Sequence, residues 1–229
     1  MIQRINRRFE RQLPSKKAKS IYIFAEGRTR EEQYFNYFKE IDSRINIEVY
    51  KLDSEENNSP LGLLEIAKIN IIGTKDNPPH YSFQKNDEVW IVIDVDKDRD
   101  DSRSPQIETI IKELKEFENW FFVQSNPCFE TWLYYHQESV LPPLNEELEY
   151  CPAWKNLVNE IILGGFNSRK HSIYIGNAIQ NAENNFLLDE QGKIKIGSTE
   201  VFKLGKSILP LVKDKIQKRF DEVEEEKAK

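Results

Sequence analysis

The chain has 229 residues, 38% of them hydrophobic and 31% charged, which suits one substantial domain with a core of its own and a strongly charged surface. The net charge of −6 is uneven: residues 1–20 carry seven basic side chains and one acid, a net of +6, which leaves −12 on the rest. This excludes broad, passive binding of nucleic-acid backbone by the body of the protein, and no apolar run approaches the ~20 residues of a membrane span.

Four short apolar runs alternate with amphipathic segments between residues 21 and 124. The runs, which we interpret as strands, are residues 21–25, 45–52, 88–93 and 119–124. The segments that we interpret as helices are residues 29–40, where Thr29 and Glu32 fit a capping box, 60–72, which opens with proline, and 105–117. Such alternation is typical of a parallel sheet with right-handed crossovers, so we predict an α/β core.

The second half of the chain is mainly helical in pattern. Predicted helices cover residues 129–136, 154–163 (ended by two glycines), 171–185 and 207 to the end, and residues 137–150 read as a loop. We therefore expect a basic arm at 1–19, an α/β core at 20–136, and a C-terminal helical extension at 137–229 that packs on the core. The arm either contacts phosphates or forms a solvated lead-in.

The third apolar run ends in VWIVIDVDKD, where Asp94, Asp96 and Asp98 follow five apolar residues. Ligand sites of parallel sheets lie outside the carboxyl ends of the strands, and residues i and i+2 of an extended chain point to the same side. Asp94 and Asp96 are therefore expected to converge, and two close carboxylates favour a compensating cation. Such oxygen ligands suit Mg²⁺ or Mn²⁺, and the alternative is a solvated acidic turn.

Glu26 ends the first strand and is followed by Gly27, which allows a backbone or a phosphate to approach closely. If the first and third strands are neighbours, Glu26 faces Asp94 and Asp96. Three carboxylates would then suit one or two divalent ions around a phosphodiester. The alternative for Glu26 is an acid that complements a helix dipole.

The segment SNPCFETWL follows the fourth strand. Asn126 and Pro127 are expected to cap and open a helix, which places Glu130 in its first turn near the same sheet edge. Glu130 is then a further ligand, a group that holds a ligand in place, or a general base. A simple dipole-complementing acid is the structural alternative.

Together these segments resemble the RloB-like family, whose fold is Toprim-like. The matching residues are 23–27 with Thr29, Glu32, Tyr34 and Phe35; Asp94 and Asp96 with Asp98; 125–130 with Trp132 and Leu133; 168–170; and Ser198 and Thr199 with 201–204. The resemblance spans roughly residues 20–209. The chain departs from many Toprim proteins in carrying Arg28 directly after the Glu–Gly pair.

The resemblance implies a Toprim-like parallel sheet flanked by helices and a Mg²⁺-dependent (or Mn²⁺-dependent) nuclease. Toprim domains hold the metal with a glutamate after one strand and an Asp-x-Asp after another. RloB-like proteins look like bacterial anti-phage defence proteins, found with restriction systems and often beside an ABC-type ATPase. Related effectors cleave nucleic acid, including tRNA. The sequence has no GxxxxGK[ST] motif, so an ATPase would be a separate partner.

The resemblance also implies roles for individual residues. The metal ligands implied are Glu26, Asp94, Asp96 and Asp98. The catalytic residues implied are Glu26, Glu130, which would orient water, and Lys170, which would neutralise charge on the phosphate. The substrate contacts implied are Gly27, Arg28, Asn126 and Arg169. Surface charge is the alternative for the basic residues.

Other classes of protein share parts of this pattern. Haloacid-dehalogenase phosphatases place their Asp-x-Asp at the first strand, and glycosyltransferases are not expected to carry the Glu26–Gly27 pair. A non-catalytic sensor or regulatory subunit of an ABC-type ATPase complex is the main alternative to an enzyme. Cys128 and Cys151 lack metal-type spacing and indicate reduced thiols, so we expect a cytoplasmic protein without membrane contact.

Overall fold

The sheet has four parallel strands in the order β2-β1-β3-β4. The structure is a computed structural model that describes residues 11–95 and 103–227. The strands are β1 (Lys19–Ala25), β2 (Ile45–Val49), β3 (Glu88–Asp94) and β4 (Trp120–Ser125). All four strand predictions are confirmed to within a few residues, and β1 and β3 are neighbours as the site prediction requires.

Helices follow every strand. Their bounds are α1 (Arg30–Phe35), α2 (Pro60–Ile71), α3 (Arg103–Glu113), α4 (Glu130–Tyr134), α5 (Cys151–Ile161), α6 (Ser168–His171), α7 (Ile175–Asn184) and α8 (Val201–Lys227). Short 3-10 helices occupy Leu114–Glu116, Glu146–Glu149 and Ser172–Tyr174. The predicted α/β class, a parallel sheet flanked by helices with a helix at the C-terminus, is confirmed.

The two faces of the sheet bury two separate apolar cores, because successive strand residues point to opposite sides. In β1, Tyr22 and Phe24 pack with α2 and α3 on one face. Ile21 and Ile23 pack on the other face with side chains from α1, α4, α5, α7 and α8. The second half of the chain thus shares a core with the sheet, whereas the division into an α/β core and a C-terminal extension at residue 136 stays a prediction.

Several helix predictions were wrong at their ends, among them the helix at 171–185, since α7 begins only at Ile175, after the 3-10 helix Ser172–Tyr174. The helix α1 stops at Phe35 instead of residue 40, because the N–H groups of Tyr37 and Phe38 bond the carbonyls three residues back and turn the chain. Thr29 is the N-cap of α1, but its side chain makes no capping bond, so the capping box with Glu32 is absent. The last helix begins at Val201, six residues before the predicted start.

The carboxyl end of β4 pairs with the segment that precedes α8. Ser125 pairs with Thr199 in a single antiparallel bridge, and their hydroxyl oxygens lie 2.7 Å apart. The amide of Asn126 donates to the carbonyl of Ser198 at 2.9 Å. This bridge holds the start of α8 beside the edge of the sheet where β1 and β3 end.

Candidate functional site

Glu26 lies at the carboxyl edge of the sheet, between the ends of β1 and β3. Its amide donates to the Val92 carbonyl at 3.0 Å, which continues the pairing of the two strands beyond Ala25. Its side chain is buried, and its Oε2 accepts from the amide of Asp94 at 3.3 Å. Glu26 therefore lies beside Asp94, whereas the predicted approach to Asp96 lies outside the described residues.

The carboxylate of Glu26 is paired with Arg103, the first residue of α3. Arg103 Nη1 donates to Glu26 Oε1 at 3.2 Å, and Nη2 donates to Glu26 Oε2 at 2.5 Å. Nη2 also donates to the backbone carbonyl of Asp94 at 2.6 Å. Both side chains are more than nine-tenths buried, so this is a bidentate ion pair shielded from water.

Glu31 is a further acid that the site prediction did not include. Its side chain is buried and folds back across Gly27, where a Cβ would overlap Glu31 Oε2. The absence of a side chain at Gly27 is thus what admits the carboxylate of Glu31. The close approach predicted for a backbone or phosphate at Gly27 is made here by Glu31.

Glu130 completes what we call the acid cluster: Glu26, Glu31, Asp94 and Glu130. It is the first residue of α4, buried, and its charge acts on both Glu31 and Asp94. The cluster therefore draws on the ends of β1 and β3 and the starts of α1 and α4. Asp96 and Asp98, the other predicted ligands, lie outside the described residues.

Crowding and burial raise the pKa values of two members of the cluster, Asp94 and Glu31. Loss of water raises the pKa of Asp94 well above its ordinary value, and the charges of Glu31 and Glu26 raise it further. Burial, with smaller effects from Glu130 and Glu26, raises the pKa of Glu31 to about 7. Such shifts are common where a protein holds acids for a purpose other than stability, and a bound cation would reverse them.

The donor set suits a hard divalent cation in its chemistry, since carboxylate oxygens are what Mg²⁺ and Mn²⁺ prefer. Within residues 11–95 and 103–227, however, no three His, Cys, Asp or Glu side chains are already arranged to hold a metal ion. The contact that occupies Glu26 is the guanidinium of Arg103. Metal binding at this edge therefore stays a prediction.

The predicted basic residues lie at the protein surface. Arg28 is exposed and donates to the Ser54 carbonyl at 3.0 Å. Arg169 and Lys170 are exposed on α6, which packs against α1. Their contacts with phosphate stay predictions.

Asn126 does not cap a helix, which corrects the sequence prediction. The Asn126–Pro127 peptide bond is cis, and α4 begins only at Glu130, with Phe129 as its N-cap. The Nδ2 of Asn126 donates to the Ile194 carbonyl at 2.7 Å, so this residue ties the end of β4 to the segment before α8. A role for Asn126 in binding substrate stays a prediction.

Two free thiols lie beside the acid cluster. Cys128 is buried and Cys151, at the start of α5, is half-buried. A hydrogen bond with Cys151, together with burial and the nearby Glu130 and Asp94, raises the pKa of the Cys128 thiol far above its ordinary value. Cys128 is therefore held as an uncharged, unreactive thiol.

His136 is buried among aromatic side chains and is unsuited to act as a base. Its Nε2 lies 3.0 Å from the Tyr34 hydroxyl and its Nδ1 lies 3.1 Å from the Trp132 carbonyl. Burial lowers the pKa of His136 to about 3, so the ring is neutral, donates from Nδ1 and accepts from the tyrosine.

Sequence reasoning missed Glu31 and Arg103, and a signal existed for only one of them. Glu31 precedes the buried aromatics Tyr34, Phe35 and Phe38 by three, four and seven residues, so it shares their helical face. Arg103 stands in a charge-rich stretch, 77 residues from its partner, and nothing local distinguishes it.

The comparisons with known proteins give one match. The family model described as RloB-like protein matches residues 21–208. The chain belongs to the RloB-like family. Neither the curated proteins nor the solved structures give a match to this RloB-like chain.

The family match covers the whole acid cluster, Arg103 and α6. It also covers the segment 96–102 that carries the two predicted aspartates outside the described residues. Within the part of the RloB-like chain that the structure describes, no helix is long and apolar enough to span a bilayer.

Proposed function

We propose that this RloB-like protein is a Mg²⁺-dependent or Mn²⁺-dependent nuclease with a Toprim-like core, which acts on RNA, tRNA or DNA in bacterial anti-phage defence. The observation that carries the proposal is the convergence of the acid cluster at the carboxyl edge of a parallel sheet, with Glu26, Glu31 and Glu130 buried and Asp94 partly exposed. An excess of negative charge at this edge opposes folding, so its presence favours a role in binding cations.

Glu26, Asp94 and Asp96 would hold the cation, with Asp98 as a further ligand. Glu31 adds a fourth oxygen donor, since its carboxylate lies against Gly27 on the same edge. A bound divalent cation would polarise the phosphodiester and offset the charge of the reacting phosphate. Glu130 would orient the water that attacks phosphorus, and the bond from phosphorus to the leaving oxygen breaks.

Contacts with the nucleic acid would come from basic residues around the acidic body. Gly27, Arg28, Asn126 and Arg169 are proposed to contact the substrate, and Lys170 to neutralise charge on the phosphate. Arg169 and Lys170 are exposed on a helix packed against α1, which carries Glu31. The basic residues among 1–19 would add contacts with phosphates outside the site.

The direct test is cleavage of tRNA, single-stranded RNA and DNA by the purified protein with Mg²⁺ or Mn²⁺, compared with Asp94→Asn and Glu26→Gln. We expect each variant to lose about 10²–10³-fold in rate, because each removes a carboxylate that would hold the cation that stabilises the transition state. Asp87→Asn, directly before β3 at the amino edge of the sheet, is the matched control and should cleave at the rate of the wild type per folded molecule. Unchanged cleavage by Asp94→Asn would sink the catalytic assignment.

A second candidate function is a non-catalytic sensor or regulatory subunit of a separate ABC-type ATPase. The ion pair between Glu26 and Arg103 favours it, since a guanidinium can supply the positive charge that the acids need. Capture of such an ATPase from cells, with no cleavage by the assembled complex in Mg²⁺ or Mn²⁺, would support this function against the nuclease.

A further inference from the structure

The side chain of Arg103 occupies Glu26 almost completely. A carboxylate offers about four lone-pair positions. Contacts with described residues use at least three of them: Oε1 accepts from Arg103 Nη1, and Oε2 accepts from both Arg103 Nη2 and the amide of Asp94. A cation that binds Glu26 through both oxygens must therefore displace Arg103.

Charge leads to the same conclusion as hydrogen bonding. The pair is shielded from water, with 9% of the Arg103 side chain and 6% of the Glu26 side chain exposed. A guanidinium and a divalent cation at one buried carboxylate repel each other strongly, because little solvent screens them. The Nε of Arg103 is also buried without a hydrogen-bond partner among the described residues, so the guanidinium is not fully satisfied in this position.

We propose that Arg103 is an internal competitor of the divalent cation at Glu26. In the paired arrangement Arg103 offsets part of the repulsion within the acid cluster and holds the ends of β1 and β3 to the start of α3. Binding of the cation exchanges one positive charge for another at the same carboxylate. Arg103 thereby sets the cation concentration at which the site fills. This inference rests on the proposed function, since it requires Glu26 to be a metal ligand.

The test measures Mn²⁺ binding to the full chain by calorimetry for the wild type and Arg103→Gln. Glutamine keeps a hydrogen-bond donor but removes the competing charge. We expect Arg103→Gln to bind Mn²⁺ about tenfold more tightly, because the paired state no longer has to be broken. Arg44→Gln, which removes the same charge from a half-exposed pair with Asp42, is the matched control and should bind as the wild type does.

Thermal unfolding gives a readout that does not depend on activity. In chelator, Arg103→Gln should unfold at a lower temperature than the wild type, since the acids then repel each other without an offset. Saturating Mn²⁺ should close that gap. An affinity that is unchanged or weaker in Arg103→Gln would overturn the competition and would make Arg103 a residue that orients Glu26 for the metal.

The outcomes separate this inference from the proposed function. If the wild type and Glu26→Gln bind Mn²⁺ equally, or if neither binds it, the metal site at Glu26 is wrong and the competition is wrong with it. If the wild type binds through Glu26 and Arg103→Gln gains no affinity, only the competition is wrong.

A measurement on the wild type covers the case in which Arg103→Gln does not fold. In protein labelled with ¹⁵N-arginine, the Nε–H signal of Arg103 can be assigned by its loss in Arg103→Lys. Titration with Mg²⁺ is expected to move that signal to the position of a solvated arginine. A signal unmoved at saturating Mg²⁺ overturns the exchange.

Discussion

At the amino edge of the sheet, Asp87 accepts from the amides of Ser20 and Gln84, each at 2.8 Å. Beside it, Glu88 accepts from Lys19 at 2.5 Å and from Ser207 at 2.6 Å. At the carboxyl edge of the same strands, burial and the charges of neighbouring acids raise the pKa values of Glu31 and Asp94, while Arg103 pairs with Glu26.

The difference separates acids that stabilise the fold from acids that oppose it. A buried carboxylate that accepts several hydrogen bonds stabilises the folded state, because its loss leaves donors without partners. Buried carboxylates that face one another disfavour their own ionised form and cost stability at neutral pH. Hydrogen bonds thus explain the acids at the amino edge of the sheet. The acids at the carboxyl edge require a further positive charge.

The largest stability effect is expected at Glu31. Its pKa is raised from an ordinary 4.5 to about 7, so the folded chain holds a proton that the unfolded chain has released in this window. Its contribution to stability is therefore present below pH 4.5 and is lost as the pH rises through 7. In chelator, we expect it to lower the free energy of unfolding by up to about 3 kcal/mol between pH 4.5 and 8. Denaturant unfolding of the wild type against Glu31→Gln measures it.

In Glu31→Gln the side chain cannot ionise, so the fall in the free energy of unfolding with rising pH that comes from Glu31 should disappear. Glu65→Gln, at an exposed carboxylate on α2, controls for the loss of one charge. Equal pH slopes in the wild type and Glu31→Gln would contradict the repulsion assigned to the carboxyl edge.

At the amino edge, the Asp87 carboxylate is expected to raise the free energy of unfolding, whereas the ionised Glu31 carboxylate lowers it. Asp87→Asn should lower the free energy of unfolding by about 2 kcal/mol at pH 7, because the amide nitrogen cannot accept from one of the two backbone donors. The loss should be the same in chelator and in Mn²⁺, since this edge has no part in the proposed site. A variant as stable as the wild type would remove the distinction between the two edges.

His136 makes a smaller contribution to the pH dependence of the free energy of unfolding, which must be separated from that of Glu31. The pKa of His136 is lowered from 6.5 to about 3, so its contribution is present above pH 6.5 and is lost as the pH falls toward 3. We expect a loss of about 2 kcal/mol between pH 7 and 5, a trend opposite to that of Glu31. His136→Gln should abolish it, and exposed His80→Asn should not. Parallel curves for the wild type and His136→Gln would show that the ring titrates normally.

The sheet could be predicted because its strands are short apolar runs bounded by polar residues, and burial of both faces leaves little ambiguity. Helix ends were harder. The turn pattern of residues 36–39 ends α1 early, and it depends on the packing of Tyr34 and Phe38 rather than on any helix-breaking residue. The start of α8 at Val201 depends on the bridge between Ser125 and Thr199, which joins segments far apart in sequence.

The sequence was informative about the site where an acidic residue follows the end of a predicted strand. Glu26 and Asp94 could be placed together because parallel strands end at one edge, and the contact between them confirms it. Asn126 was misassigned because an Asn-Pro pair before an apolar run has the pattern of a helix start, whereas its side chain binds a distant carbonyl. Arg103 could not be found, since its role depends on a partner 77 residues away.

The bond from Ser207 to Glu88 joins residues 119 apart and fixes α8 against the strands. The helix brings Val201, Leu204 and Ile208 to the face of the sheet that also holds Ile23 and Trp90. Synthesis runs from the amino end, so α8 is made after all four strands, and that face has no complete cover until synthesis has passed residue 208. Closing so long a loop is slow compared with local helix formation. Assembly of the core on this face therefore waits for α8, whereas α2 and α3 can cover the other face earlier.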